Sequence, residues 1–176
     1  MGANRHSRLP LRTLVVAMAS AVLLAAAASP AQADDTSVRA AWEGNDPQFA
    51  KLGRSLDRAL ENWKESDFRR WRPVVRVYTR IRRLLTKTRK ATRAEQASTE
   101  RGGEARKLAL DSMRVFDQSL ATFSRGVRRA VRGDRRATGD ADRGVRLERR
   151  SLNLAKKAHR IFNELGVPRP AGAGGG

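Results

Sequence analysis

The sequence contains no cysteine among its 176 residues, and only 5% of them are aromatic. Without cysteine the chain has no disulfide scaffold, no zinc–thiolate site and no cysteine nucleophile, so its fold depends on an apolar core. Histidine occurs twice, and neither histidine belongs to a Glu-x-x-His pair or to a Ser/His/Asp set. A glycine-rich phosphate loop is also missing. We therefore expect no cofactor and no metal site, and we expect that the protein is not an enzyme.

Acidic residues are absent from the first 33 positions. Within them, Leu14–Ala28 forms an apolar run that is too short to span a membrane comfortably. Three arginines precede this run, and Pro30 follows it. Ala31 and Ala33 then supply the small residues that a signal peptidase reads. This order predicts a cleavable signal peptide over 1–33 and a secreted protein, extracellular or associated with the cell surface. An uncleaved N-terminal anchor is the alternative.

The rest of the sequence shows no alternating strand pattern of useful length, and its apolar residues recur at spacings of three and four. This spacing predicts four amphipathic helices, whose apolar series cover 49–63, 71–85, 109–130 and 144–165. The fold class is therefore all-α, and we expect an antiparallel four-helix bundle over 46–166. A flexible lead-in over 34–45 and a disordered Pro/Gly/Ala tail over 167–176 complete the expected organisation.

Prolines and glycines predict where these helices begin and end. Asp46-Pro47 is typical of an N-cap followed by proline in the first helical turn. Pro73 favours a turn before the second helix, and the alternative is three long helices with the first kinked at Pro73. Gly102-Gly103 predicts that the chain reverses direction before the third helix. The stretch 133–140 is expected to connect the third helix to the fourth. Gly166 predicts a Schellman cap at the end of the fourth helix.

Acidic residues are also missing from Phe68 to Ala94, a stretch of 27 residues that contains eleven arginines and lysines. Five of these basic residues recur at helical spacing and form what we call the basic stripe: Arg76, Arg80, Arg83, Lys87 and Lys90. The stripe is about 21 Å long at 1.5 Å per residue, and we expect it beside the apolar seam of the second helix. A second basic group covers the end of the third helix and includes Arg125, Arg129 and Arg132.

The other polar residues are expected to lie at the surface. Glu148 neighbours several arginines and is expected to pair with them, while Asp140 is expected to cap the fourth helix. No charged partner for His159 is evident in the sequence. Trp42 and Trp71 are the tryptophans that could contact a membrane, although tryptophan at helical seam spacing is more often part of a core.

The net charge of +19 indicates an anionic partner. The first hypothesis is a non-enzymatic cell-surface or wall-associated module that binds anionic polymer through the basic stripe. The expected partner is a polyanion, such as a wall polymer, an anionic membrane surface or extracellular nucleic acid, or else an acidic protein. The second hypothesis is an interaction protein that docks an acidic partner or oligomerises through that face. The third is a structural helical protein without a dedicated ligand, in which the charge is only a solvated surface.

Overall fold

The computed structural model describes residues 30–171, with side chains described from residue 35 onward. These residues form five α-helices and no strand: α1 (Pro30–Glu43), α2 (Asp46–Glu65), α3 (Arg72–Ala94), α4 (Glu100–Val131) and α5 (Arg136–Glu164). The all-helical prediction is confirmed, and α2 to α5 correspond to the four predicted helices. The predicted signal peptide, with the side chains of Ala31 and Ala33, lies outside the described residues and stays a prediction. The tail beyond residue 171 also lies outside them.

Helix α1 replaces most of the flexible lead-in that was expected over 34–45. Its side chains Val38, Arg39 and Trp42 are almost completely buried. Short, small and acidic segments are marginal helices in water, and tertiary packing of one face supplies the stability that the local sequence lacks. The sequence pattern missed α1 because its buried face contains charged residues as well as apolar ones.

The chain turns between α2 and α3, so the alternative of one helix kinked at Pro73 is wrong. Pro73 lies in the first turn of α3, where its missing N–H breaks no intrahelical bond. In the connection before it, Asp67 and Phe68 have positive φ angles of 49° and 64°. The indole N–H of Trp63 donates to the carbonyl of Phe68 at 2.8 Å and closes the turn.

Three helix starts also differ from the predictions. Helix α4 begins after Thr99, whose hydroxyl accepts a hydrogen bond from the Gly102 N–H at 2.8 Å, so the two glycines lie inside the first turn. Helix α5 begins at Arg136 and includes most of the connection expected over 133–140. The N-cap of α2 is Asn45 instead of Asp46.

The end of α5 has the predicted Schellman cap. Gly166 has a φ of +67°, and the N–H of Val167 donates to the carbonyl of Phe162 at 3.0 Å. Val167 is buried, so the segment predicted to be a disordered tail begins with packed residues.

Consecutive long helices pack together, with α4 and α5 in the most extensive contact. The hydroxyl of Ser119 donates to the carbonyl of Gly144 at 2.8 Å, and the hydroxyl of Ser151 donates to the carbonyl of Ser112 at 2.9 Å. These two bonds fix an antiparallel register of α4 and α5. The core between the helices includes Val74, Tyr78, Ile81, Leu85, Met113, Leu120, Phe123, Ala158, Ile161 and Phe162.

Candidate anion-binding face

The basic stripe lies on the outer face of α3, because the inner face of this helix is packed into the core. Val74, Ile81 and Leu85 are buried, whereas all five side chains of the stripe are exposed. At 3.6 residues per turn, the stripe lies on the opposite side of the helix from these core residues. The expectation that it borders the apolar seam is therefore wrong, and its charges face solvent directly.

The stripe is not neutralised by the part of the chain that the structure describes. None of its five side chains forms an ion pair with another described residue. Arg82, on the flank of the same helix, behaves differently: its guanidinium binds both carboxylate oxygens of Asp117 in α4, at 2.7 and 3.2 Å. This hydrogen bond raises the pKa of Arg82. The flanking arginine of α3 is thus paired with a carboxylate of α4, whereas the stripe residues have no ion-pair partner among the described residues.

The second basic group is partly neutralised by the next helix. Arg125 and Arg129 contact the carboxylate of Asp140 at 3.4 and 2.8 Å, and Arg129 also contacts Asp134 at 3.6 Å. Asp140 is therefore an ion-pair partner in the second turn of α5, and its predicted role as a helix cap is wrong. Of the three predicted site residues here, Arg132 alone is exposed without an ion pair among the described residues.

The antiparallel register of α3 and α4 separates this second group from most of the stripe. Two contacts agree on this register: the ion pair between Arg82 and Asp117, and the hydrogen bond from Arg106 to the carbonyl of Thr92. In that register Arg129 lies level with the connection that precedes α3. The structure therefore does not bring all the predicted anion-binding residues together, and the stripe stands as a separate candidate site.

A buried polar cluster holds α1 against α5. Arg39 is 1% exposed; its Nε donates to Glu43 Oε1 at 2.9 Å, and its Nη1 donates to the carbonyl of Val167. His159 Nδ1 lies 3.0 Å from the same oxygen of Glu43, and the His159 ring packs against Trp42 at 4.5 Å. Trp42 is therefore a core residue and not a membrane contact.

Opposing effects act on the ionisation of this cluster. Burial lowers the pKa of Arg39 and is only partly offset by Glu43. Burial by itself raises the pKa of Glu43, but the hydrogen bond with His159 and the charge of Arg39 outweigh it, so the net shift is downward. His159 thus has a charged partner that the sequence did not reveal, because Glu43 comes from the segment expected to be a loop.

Within the described residues, no three side chains of histidine, cysteine, aspartate or glutamate come together as metal ligands. No helix in that same range is long and apolar enough to cross a membrane. The chain matches no protein-family model, no curated protein and no solved structure.

Glu148 was expected to lie at the surface, and this prediction is wrong, because the residue is only 9% exposed. It borders an apolar cavity of about 70 Å³ that is lined by residues of all five helices, and Asp46 borders the same cavity. Burial raises the pKa of each of these two carboxyl groups to about 7. The cavity is too small for a typical ligand pocket of 300 Å³ or more, so we interpret both residues as features of the core.

Proposed function

We propose that this protein is a non-enzymatic binding module that attaches to an anionic polymer through the basic stripe of α3. The observation that carries this proposal is the contrast between arginines that have a carboxylate partner and the stripe residues, which have none among the described residues. The paired arginines include Arg82 and Arg129. Like charges at spacings of three and four repel one another, and an anionic ligand would relieve that repulsion.

The scaffold suits this role. We propose that α2 to α5 form an antiparallel four-helix bundle, with α1 as an added segment, and that the bundle presents α3 as a straight and rigid ridge. Because the core residues of α3 are buried along most of its length, the stripe keeps its spacing when it binds. A preorganised row of cations loses little conformational entropy on contact with an extended anion.

The chemistry of the stripe favours a polymer of phosphates or carboxylates over a base-stacking ligand. Tyr78, the one aromatic residue of α3, is 2% exposed and lies in the core. Single-stranded nucleic acids are usually held by exposed aromatics interleaved with basic residues, and the stripe has none. With the predicted export signal, we propose an anionic wall polymer as the ligand and the cell surface as the location.

The test is binding to synthetic poly(glycerol phosphate) as a function of salt concentration. A ligand that contacts all five residues gives a slope of log K against log salt of about −3.5, because each neutralised phosphate releases counterion. The triple variant Arg76→Glu, Arg80→Glu, Arg83→Glu should weaken binding strongly and reduce the slope by about 2.

The matched control changes the same number of charges on another helix. Arg143, Arg146 and Arg150 are exposed on α5 at similar spacing, and their replacement by glutamate should leave most of the binding intact. If the control loses as much affinity as the stripe variant, net charge alone drives binding and the proposal is wrong. A one-to-one complex with an acidic protein that survives wall digestion would instead favour protein docking.

A further inference from the structure

The connection between α2 and α3 exposes a large aromatic side chain. Phe68 is 57% exposed, and it is one of two large hydrophobic residues exposed in the described range. Trp63 packs edge-on against it with ring centroids 5.2 Å apart, and Trp71 is half-buried nearby in the chain. We call Trp63, Phe68 and Trp71 the aromatic turn.

The backbone of the aromatic turn holds Phe68 outward at a conformational cost. A φ of +64° is unfavourable for a bulky residue and is usually left to glycine or asparagine. Hydrogen bonds at the end of α2 maintain the conformation: the Phe68 N–H donates to the Trp63 carbonyl at 2.9 Å, and the Trp63 indole donates to the Phe68 carbonyl. The Arg70 N–H donates to Ser66 Oγ at 2.9 Å. Strained backbone that surrounding contacts maintain is a reason to look for a function.

Basic residues surround these rings. Arg69, Arg70 and Arg72 are exposed, and the Arg72 guanidinium lies 6.0 Å from the centre of the Trp71 ring. Lys64 adds a fourth cation, whereas the exposed carboxylates of Glu65 and Asp67 offset part of the charge. The turn therefore combines an apolar tip with a net positive rim.

We propose that the aromatic turn inserts into the surface of an anionic lipid bilayer, with Phe68 in the boundary of the acyl chains and the arginines on the lipid phosphates. Aromatic residues favour that interface, and basic residues beside them add attraction to anionic headgroups. A polymer dissolved in water offers the arginines a partner but offers Phe68 nothing apolar. This surface is distinct from the stripe, which begins at Arg76 and has no exposed aromatic residue.

The experiment uses the full chain and vesicles of phosphatidylglycerol with brominated acyl chains, which quench nearby tryptophan. The protein has three tryptophans; Trp42 is buried, so quenching reports on the aromatic turn and not on residues 1–33, which contain none. We expect strong quenching on phosphatidylglycerol and little on phosphatidylcholine. Phe68→Asn, which suits a positive φ and so protects folding, should weaken the effect about tenfold through loss of buried apolar area.

Two controls separate this inference from the proposed function. Val131→Ser removes the other exposed large hydrophobic residue and should leave the quenching unchanged. The stripe variant with glutamate at positions 76, 80 and 83 should still insert, and Phe68→Asn should still bind poly(glycerol phosphate). Equal quenching in Phe68→Asn and the unaltered chain, or loss of quenching only in the stripe variant, would overturn the proposal.

Discussion

The carboxylate of Asp35 in α1 occupies the space that a side chain on Gly102 of α4 would need. Its two oxygens accept hydrogen bonds from the Ser98 N–H at 3.0 Å and from the Thr99 hydroxyl at 2.6 Å. The Thr99 hydroxyl in turn accepts from the Gly102 N–H. Asp35 therefore places a negative charge at the positive end of the longest helix, and glycine is required there for space.

Gly102→Ala should destabilise the protein by about 1–3 kcal/mol, because the new methyl group overlaps the Asp35 carboxylate in a packed region. Gly103→Ala is the matched control, since no atom lies within 4 Å of a methyl group at that position. The control should be neutral or stabilise by up to about 1 kcal/mol through helix propensity. Urea denaturation of both variants measures the difference, and equal stabilities would contradict the contact.

Removing Arg39 should cost at most about 3–5 kcal/mol, because Glu43 would keep a charge in a buried site with His159 as its partner there but without its arginine. Arg39→Met preserves much of the side-chain volume and isolates the electrostatic effect. The exposed pair Arg101–Glu164 provides the comparison, and Arg101→Met should cost less than about 1 kcal/mol. The prediction fails if chemical denaturation shows that the two variants lose similar amounts of unfolding free energy.

Glu148 should make the protein less stable as pH rises. Its pKa is about 7 in the folded state, raised from 4.5 by burial, although the charge of Arg149 partly opposes the rise. Between these values the folded protein retains a proton that the unfolded chain releases, so stability falls with rising pH by roughly 3 kcal/mol at most. Asp46 acts in the same direction.

Glu148→Gln should remove the part of this fall that Glu148 contributes and leave the part that Asp46 contributes. The variant and the unaltered protein should have similar free energies of unfolding near pH 4.5, and the variant should be the more stable at pH 8. Glu61→Gln, at an exposed site on α2, should leave the pH profile unchanged. A Glu148→Gln profile that still falls as steeply as that of the unaltered protein would show that Glu148 ionises normally.

Asp140→Asn should strengthen binding to poly(glycerol phosphate), because it releases Arg125 and Arg129 from their shared partner. Arg129 keeps its 3.6 Å contact with Asp134, so we expect one additional phosphate contact, from Arg125, and a salt slope that is steeper by about 0.7. Asp142→Asn makes the same change in net charge at an exposed position of the same helix and is the control. An equal gain in affinity in the two variants would mean that net charge causes the gain, and that Arg125 and Arg129 do not contact the polymer.

Local chemistry was sufficient to predict some boundaries of the fold. Pro73 favoured the start of α3 because a proline in the first turn breaks no intrahelical hydrogen bond, and Gly166 marks the end of α5 because it takes the left-handed conformation. Helical spacing likewise predicted the exposed stripe, although not the side of α3 on which it lies. These features depend on residues within a few positions of one another.

Features that depend on distant residues could not be predicted. Glu148 lies in an arginine-rich stretch that is typical of a surface helix, and only the packing of other helices around it buries it. His159 is paired with Glu43 of α1, which lies more than a hundred residues earlier. Asp35 accepts a hydrogen bond from Ser98, just before the start of α4. A single sequence shows spacing along one helix but not which faces of different helices meet.

The bond from Arg39 to the carbonyl of Val167 joins groups 128 positions apart and has a consequence for the order of folding. A ribosome releases the N-terminal end of a chain first, so α1 is made before every surface on which it docks. The α4–α5 hairpin can close through local contacts, whereas α1 reaches its final place only after residue 167 is available. Among the described helices, the first to be synthesised is therefore the last to be fixed, and its docking requires that residues 30–167 have folded.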